Sequence, residues 1–214
     1  MRKFGVSCFF LLLLCQQQLF SLSSERVNQA YNKSYIYEKI QDYKSSINAL
    51  AAVKQEYPKG YTLNLRLGWL YYLNKNYANS LHHYQQAMKS VPHSIEAKLG
   101  YTYPLLAQAK YDQVASVAYS ILQTDYYSYY GNLTLVKALQ KQKKTDLAQK
   151  VCQKMLAIYP TDTPFLVELA LTKIAAKDRK AAYAIFEDVL ILNPENPVAK
   201  SYLQKNNSLK KRKR

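Results

Sequence analysis

A prolyl residue, or a residue standing in its place, returns at one constant interval along most of the chain, at Pro58, Pro92, Tyr126, Pro160 and Pro194. At a fixed distance before each rung lie Tyr43, Tyr77, Tyr111, Thr145 and Arg179, so the first three rungs carry a second aligned tyrosine. A constant period of this length, closed each time by a proline, restricts the chain to stacked pairs of helices. Such a unit is too small to bury its apolar face alone and must lean on its neighbours. With only five glycines and seven prolines there are too few turn residues for many short strands, and 49% apolar content suffices for a core.

Placing the first position of each unit at Val27, Tyr61, Ile95, Tyr129 and Thr163 gives five gapless units, 27–60, 61–94, 95–128, 129–162 and 163–196. The second is the clearest, with Leu67, Gly68 and Tyr71 in its first half and Tyr77, Ser80, Tyr84, Ala87 and Pro92 in its second. Unit five supplies Leu169, Ala170, Ala182, Phe186, Val189 and Pro194, and unit four Ala148, Cys152, Met155 and Pro160. Unit one supplies Tyr37, Tyr43, Ser46, Leu50, Val53 and Pro58, and unit three is weakest, with Val114 where a small residue is wanted.

The pattern resembles the tetratricopeptide repeat over about four fifths of the chain. That resemblance implies an all-α, right-handed α-solenoid of about five helix-turn-helix repeats, a class that binds peptides or proteins and is not catalytic. Small residues such as Gly68, Ala148 and Ala182 are expected to let helices approach while Tyr84 and Phe186 fill the gap beside them. Cys152 falls in the same slot, which predicts a buried small hydrophobe rather than a reactive thiol. Prolines end the second helices, and Ser94, Thr163 and Asn196 read as the N-caps that follow. A capping helix is expected over 197–206, with a disordered basic tail over 207–214.

In tetratricopeptide arrays the first helices line a concave groove, and the resemblance assigns positions 2, 5, 9, 12 and 13 of each unit to it. Together with Arg66 at position 6, these nominate Tyr31, Tyr35, Arg66, Trp69, Tyr72, Tyr103, Lys137 and Lys141 as partner-binding residues. The groove so drawn is aromatic across three units and basic in the fourth, suited to a peptide with apolar anchors and an acidic or carboxylate end. The competing reading makes several of these rings inter-repeat core. Pro104 stands inside a predicted first helix, with Gly100 one turn before it, and predicts either a kink beside Tyr103 or an early helix end.

Segment 1–24 follows a different plan. Arg2 and Lys3 precede an apolar run from Phe4 to Leu14, then glutamines and Ser21, Leu22, Ser23 and Ser24, the order of a secretory signal peptide. This predicts a secreted or periplasmic chain cut after Ser23 or Ser24. The alternative is an envelope assembly factor attached to a membrane by this segment or by a lipid on Cys15, although Leu14 occupies the place where a lipidation motif wants a small residue. Cys8 and Cys15 leave with a signal peptide, so Cys152 has no internal disulfide partner.

Net charge is +16, and subtracting the two charges of Arg2 and Lys3 and the six of Lys205, Lys210, Lys211, Arg212, Lys213 and Arg214 leaves +8. Much of the basicity is a tail, expected to be solvated or to make weak contact with an anionic surface. His82, His83 and His93 lack partners at metal spacing and are expected to face solvent. No phosphate loop, metalloprotease motif or nucleophile motif is spelled, so no catalytic residue, metal, cofactor or small-molecule substrate is expected. Tyr126, Tyr127, Tyr129 and Tyr130 crowd one turn as a surface patch or as repeat packing, and Asn32, Asn132 and Asn206 open Asn-x-Ser/Thr triplets.

Overall fold

The computed structural model describes residues 22–212, and every regular element among them is a helix. Residues 1–21 of the leader segment, with Cys8 and Cys15, fall outside that range, as do Lys213 and Arg214, whereas the expected cut lies inside it, where Ser23 caps the first helix. Helices α4 (Tyr61–Leu73) and α5 (Tyr77–Ser90), α6 (Ile95–Ala107) and α7 (Tyr111–Thr124), α8 (Tyr129–Lys141) and α9 (Thr145–Leu156), and α10 (Thr163–Ala175) and α11 (Arg179–Leu192) form four successive pairs. Each helix packs on its pair mate and on the next pair, and the first helices α4, α6, α8 and α10 also touch in sequence. The result is a solenoid of helix-turn-helix repeats. Among the described residues no helix is long and apolar enough to cross a membrane.

The first pair departs from this plan. Its first helix is α1 (Ser24–Lys39), but its second is broken into α2 (Tyr43–Asn48) and α3 (Ala51–Glu56). The Leu50 N–H turns to the Ile47 carbonyl at 3.1 Å, a three-residue closure that tightens the chain at the break. Leu50 is nevertheless fully buried. At the other end α12 spans Pro197–Arg212, past the expected end at 206. No glycine or proline follows Pro197, and Leu, Lys and Arg are good helix formers, so nothing local stops it.

Each turn inside a pair is closed by a residue in the left-handed region: Gln41 (φ 61°), Lys75 (57°), Ala109 (55°), Lys143 (61°) and Lys177 (65°). They recur with the period of the prolines, a second ladder that no residue type advertises. In the second pair the Asn76 N–H reaches the Tyr71 carbonyl and the Lys75 N–H the Tyr72 carbonyl, both at 2.9 Å, and the other four turns repeat the arrangement. This double closure satisfies the last carbonyls of the first helix and reverses the chain in three residues.

The close approaches follow the expected slots. Tyr84 is 4% exposed, and its ring is wedged between two glycines. A Cβ on Gly68 would lie 2.9 Å from the ring, and one on Gly100 would overlap its Cε1 outright. Gly100 is therefore required by Tyr84 of the preceding pair, beyond any relief it gives Pro104. Helix α6 continues three residues past Pro104 to Ala107, so the proline does not end it early. Phe186 fills the corresponding gap in the last pair, stacking on Tyr202 of α12 at 4.9 Å. Cys152 is fully buried in its slot, and burial pushes its thiol up to about 12.

Three local expectations are corrected. Helix α10 is capped by Asp162, whose Oδ1 accepts the Phe165 N–H at 2.9 Å; Thr163 is already helical, because Asp162 holds the extended backbone a cap needs. Ser94 and Asn196 cap as expected, accepting the Ala97 and Ala199 N–H groups at 3.0 Å each. His83 is not solvent-facing but 4% exposed, stacked on Tyr71 at 5.3 Å with its Nδ1 2.8 Å from Asn64 Oδ1. Asn132 is fully buried, its amide donating to the Tyr126 and Ser128 carbonyls, so its triplet presents no acceptor amide in the folded chain.

Candidate functional site: an aromatic groove on the first helices

Trp69 and Tyr72 are one helical turn apart on α4, and Tyr103 stands on the next first helix, α6. Because α4 and α6 touch directly, a residue at position 9 of one unit meets position 9 of the next. The Trp69 and Tyr103 rings lie 5.9 Å apart at 68°, Trp69 and Tyr72 at 5.6 Å, and Tyr72 and Tyr103 at 5.6 Å. Each ring is in edge or tilted contact with the other two, a geometry that favours aromatic pairs. Tyr103 remains 43% exposed.

Beside this cluster opens a cavity of about 460 Å³, walled by Leu65, Trp69, Leu99 and Tyr103 with Tyr84 and Gly100 at its base. Glu96 stands at one end, where its carboxylate accepts from the Tyr61 hydroxyl at 3.0 Å. The missing side chain of Gly100 admits the Tyr84 ring, and both residues line the cavity. Burial pushes the Tyr84 phenol well above its ordinary value, so it stays protonated.

The Trp69 ring is anchored from the first pair. Its Nε1 donates to Glu38 Oε1 at 2.6 Å, and the other carboxylate oxygen, Oε2, pairs with Arg66 Nη1. Arg66 in turn donates from Nε and Nη2 to Ser34 Oγ at 3.2 and 3.1 Å, and Ser34 is tied to Ser46, whose hydroxyl donates to the Ser34 carbonyl at 2.7 Å. The guanidinium also covers the Tyr35 ring at 3.8 Å. Arg66 is 7% exposed. Its expected role as a free groove cation is therefore corrected: burial would strand its charge without Glu38, so it is held as a buried ion pair. Its consequence for the groove is indirect, since it fixes Tyr35 and, through Glu38, Trp69.

Glu38 is the residue that sequence reasoning missed. It occupies position 12 of unit one, the place that Tyr72 holds in unit two, so the repeat frame itself carried the signal. Tyr31 is partly buried near Tyr35 and Arg66; burial raises its phenol first, and Tyr35 adds to the rise while Arg66 opposes it. Lys137 and Lys141 lie apart from the rings, on α8. Both are exposed, with the Lys137 ammonium 3.9 Å from Glu168 Oε1. Burial pushes the Glu168 carboxyl up, partly offset by Lys137, by a hydrogen bond from Gln140 and by Lys141. Among the described residues no group of three or more His, Cys, Asp or Glu side chains could hold a metal ion.

Two segments match models of the tetratricopeptide repeat, residues 62–94 and 139–205. No curated protein matches the chain significantly. Among solved structures, residues 41 to the end of MamA from Desulfovibrio magneticus RS-1 superpose with a TM-score of 0.71 at 14% identity, covering 82% of this chain and 99% of that one. YrrB, described as a TPR protein with an unusual peptide-binding site, gives 0.65 at 9% identity, covering 82% and 90%. TTC0263, a thermophilic TPR protein from Thermus thermophilus, gives 0.63 at 13% identity, covering 84% and 97%. At such identities the likenesses speak for the fold, a solenoid of helix-turn-helix repeats, and within it residues 62–94 and 139–205 are the segments that match the tetratricopeptide repeat.

Proposed function

We propose that the chain is a non-catalytic scaffold that captures a peptide or protein partner in the first-helix groove. The observation that carries this reading is the Trp69, Tyr72 and Tyr103 cluster beside the cavity of about 460 Å³. Large rings held partly in solvent around a preformed depression are the usual anchors of an interface, because burying them on binding costs little further ordering. Here the rings are held in advance: Trp69 by Glu38, and Tyr103 by Trp69 and Tyr72. The preferred occupant is a segment with one apolar anchor in the cavity and an acidic stretch running toward Lys137 and Lys141 on α8. A neighbour of the same fold, YrrB, is described by its peptide-binding site, which accords with this use of the scaffold.

The test is partner capture with Trp69→Ala and Tyr103→Ala. Each is expected to lower capture at least tenfold with helicity unchanged, whereas undiminished capture by both would move the binding face elsewhere. The compartment is proposed as extracytoplasmic on the leader-like order of segment 1–24 alone. Mass analysis of the mature N-terminus decides it, since a chain beginning at residue 24 or 25 excludes both a retained anchor and a lipid on Cys15.

A further inference from the structure

We propose that the second helices carry another docking site, between α7 and α9, for an acidic peptide segment bearing one large apolar side chain. Both α7 and α9 pack on α8, which leaves a depression between them floored by Leu135 of α8. The cavity measures about 530 Å³, and its apolar walls are Tyr119, Leu122, Tyr126 and Val151. That volume lies in the range of pockets that enclose a small ligand, and it suits an aromatic side chain with its flanking backbone. Tyr119 is 46% and Tyr126 59% exposed, so two rings stand in water at its mouth.

Tyr126 is the rung where every other repeat has proline. Its ring does what a proline could not, taking the Lys154 ammonium over its face 3.9 Å from the centroid, while the same ammonium donates to the Tyr126 backbone carbonyl at 3.1 Å. Lys150 supplies a second ammonium, and among the described residues no carboxylate lines the cavity. Asp125, the acid adjoining Tyr126 in sequence, has its Oδ1 occupied by the Tyr127 N–H at 3.0 Å. The Lys154 ammonium is partly desolvated, which lowers its pKa, with Asp125 opposing. A cation already stripped of some water gains more from an incoming carboxylate than a fully hydrated one. Two lysines at one apolar depression, rather than a row of them along a track, favour an acidic peptide over a nucleic-acid strand.

The experiment is fluorescence anisotropy on the full chain with a fluorescein-labelled heptapeptide, Glu-Glu-Asp-Phe-Asp-Glu-Glu. Saturable binding is expected to survive in Trp69→Ala, which removes the anchor of the first-helix groove, and in that background to weaken about tenfold on adding Lys154→Glu or Tyr126→Ala. Because Tyr126 is exposed, its variant keeps the fold and circular dichroism verifies this. The proposal is overturned by absence of saturable binding up to about 1 mM peptide, by full affinity in both variants, or by equal binding when the phenylalanine is replaced with alanine. Loss of binding in Trp69→Ala alone overturns it too, by placing the peptide in the first-helix groove. Partner capture through Trp69 is read separately, so the two sites fail independently.

Discussion

Acidification from pH 7.5 to pH 5 is expected to remove about 2 kcal/mol of stability through His83 alone. Burial pushes the His83 imidazole down to about 4, with Lys54 and then His82 adding smaller contributions in the same direction. A base whose folded pKa lies below its unfolded value binds protons preferentially in the unfolded chain. Its neutral form therefore supports folding fully above the unfolded pKa of about 6.5, and that support declines as pH falls toward 4. At pH 5 the unfolded ring is almost entirely protonated and the folded ring about one tenth so, which gives the ratio behind the figure above. The physical cost is that of stripping water from a charged ring in a buried site and holding it near the Lys54 ammonium. The assay is urea unfolding followed by helicity across this pH range, comparing the wild type with His83→Gln, which keeps a donor for Asn64 and does not titrate. The difference between the two stabilities should shift against the wild type by about 2 kcal/mol on acidification. Parallel curves for the two proteins would refute the placement of His83 as a buried neutral base.

The Tyr84 wedge predicts that Gly100→Ala destabilises by about 1–3 kcal/mol, the range for overpacking a core, measured by urea midpoint. Trimming the ring in the same chain with Tyr84→Leu should recover part of that loss, because the new methyl then meets no ring. At the left-handed turn Ala109→Gly should raise stability by about 0.5–1 kcal/mol, since glycine has no Cβ penalty at φ 55°; a loss would show that this turn is not strained. Glu38→Gln should leave Arg66 without its carboxylate and alter the Trp69 hydrogen bond together. A shift in tryptophan fluorescence with a stability loss of about 2–4 kcal/mol is expected, and an unchanged spectrum would sever Glu38 from the groove.

Much of the candidate groove is legible in the sequence. Position 9 of consecutive units predicts Trp69 and Tyr103 on one face, and they meet because α4 and α6 touch. Arg66 was misread for a definite reason. Its position marks it as a surface cation, but its fate is set by Glu38, Ser34 and Tyr35 on α1, nearly a whole repeat away in sequence. Whether a cation is a free ligand site or a buried pair depends on what closes over it, and helical periodicity on one helix does not report that. His83 failed in the same way: its neighbours Tyr71 and Asn64 belong to the facing helix.

By itself the sequence determined the period, the helix pairs and the register in which successive units repeat. That is possible because in a solenoid each unit contacts its neighbours and little else, so a pattern written locally maps onto local contacts. Only the tertiary structure decided how the units fit. It revealed the ladder of left-handed turns at Gln41, Lys75, Ala109, Lys143 and Lys177, which contains no glycine to mark it and exists because the paired helices must reverse in three residues. It also revealed that Gly68 and Gly100, one on either side of Tyr84, are spaces shaped by a single ring between two repeats. Close packing is a property of surfaces brought together, and no residue carries it alone.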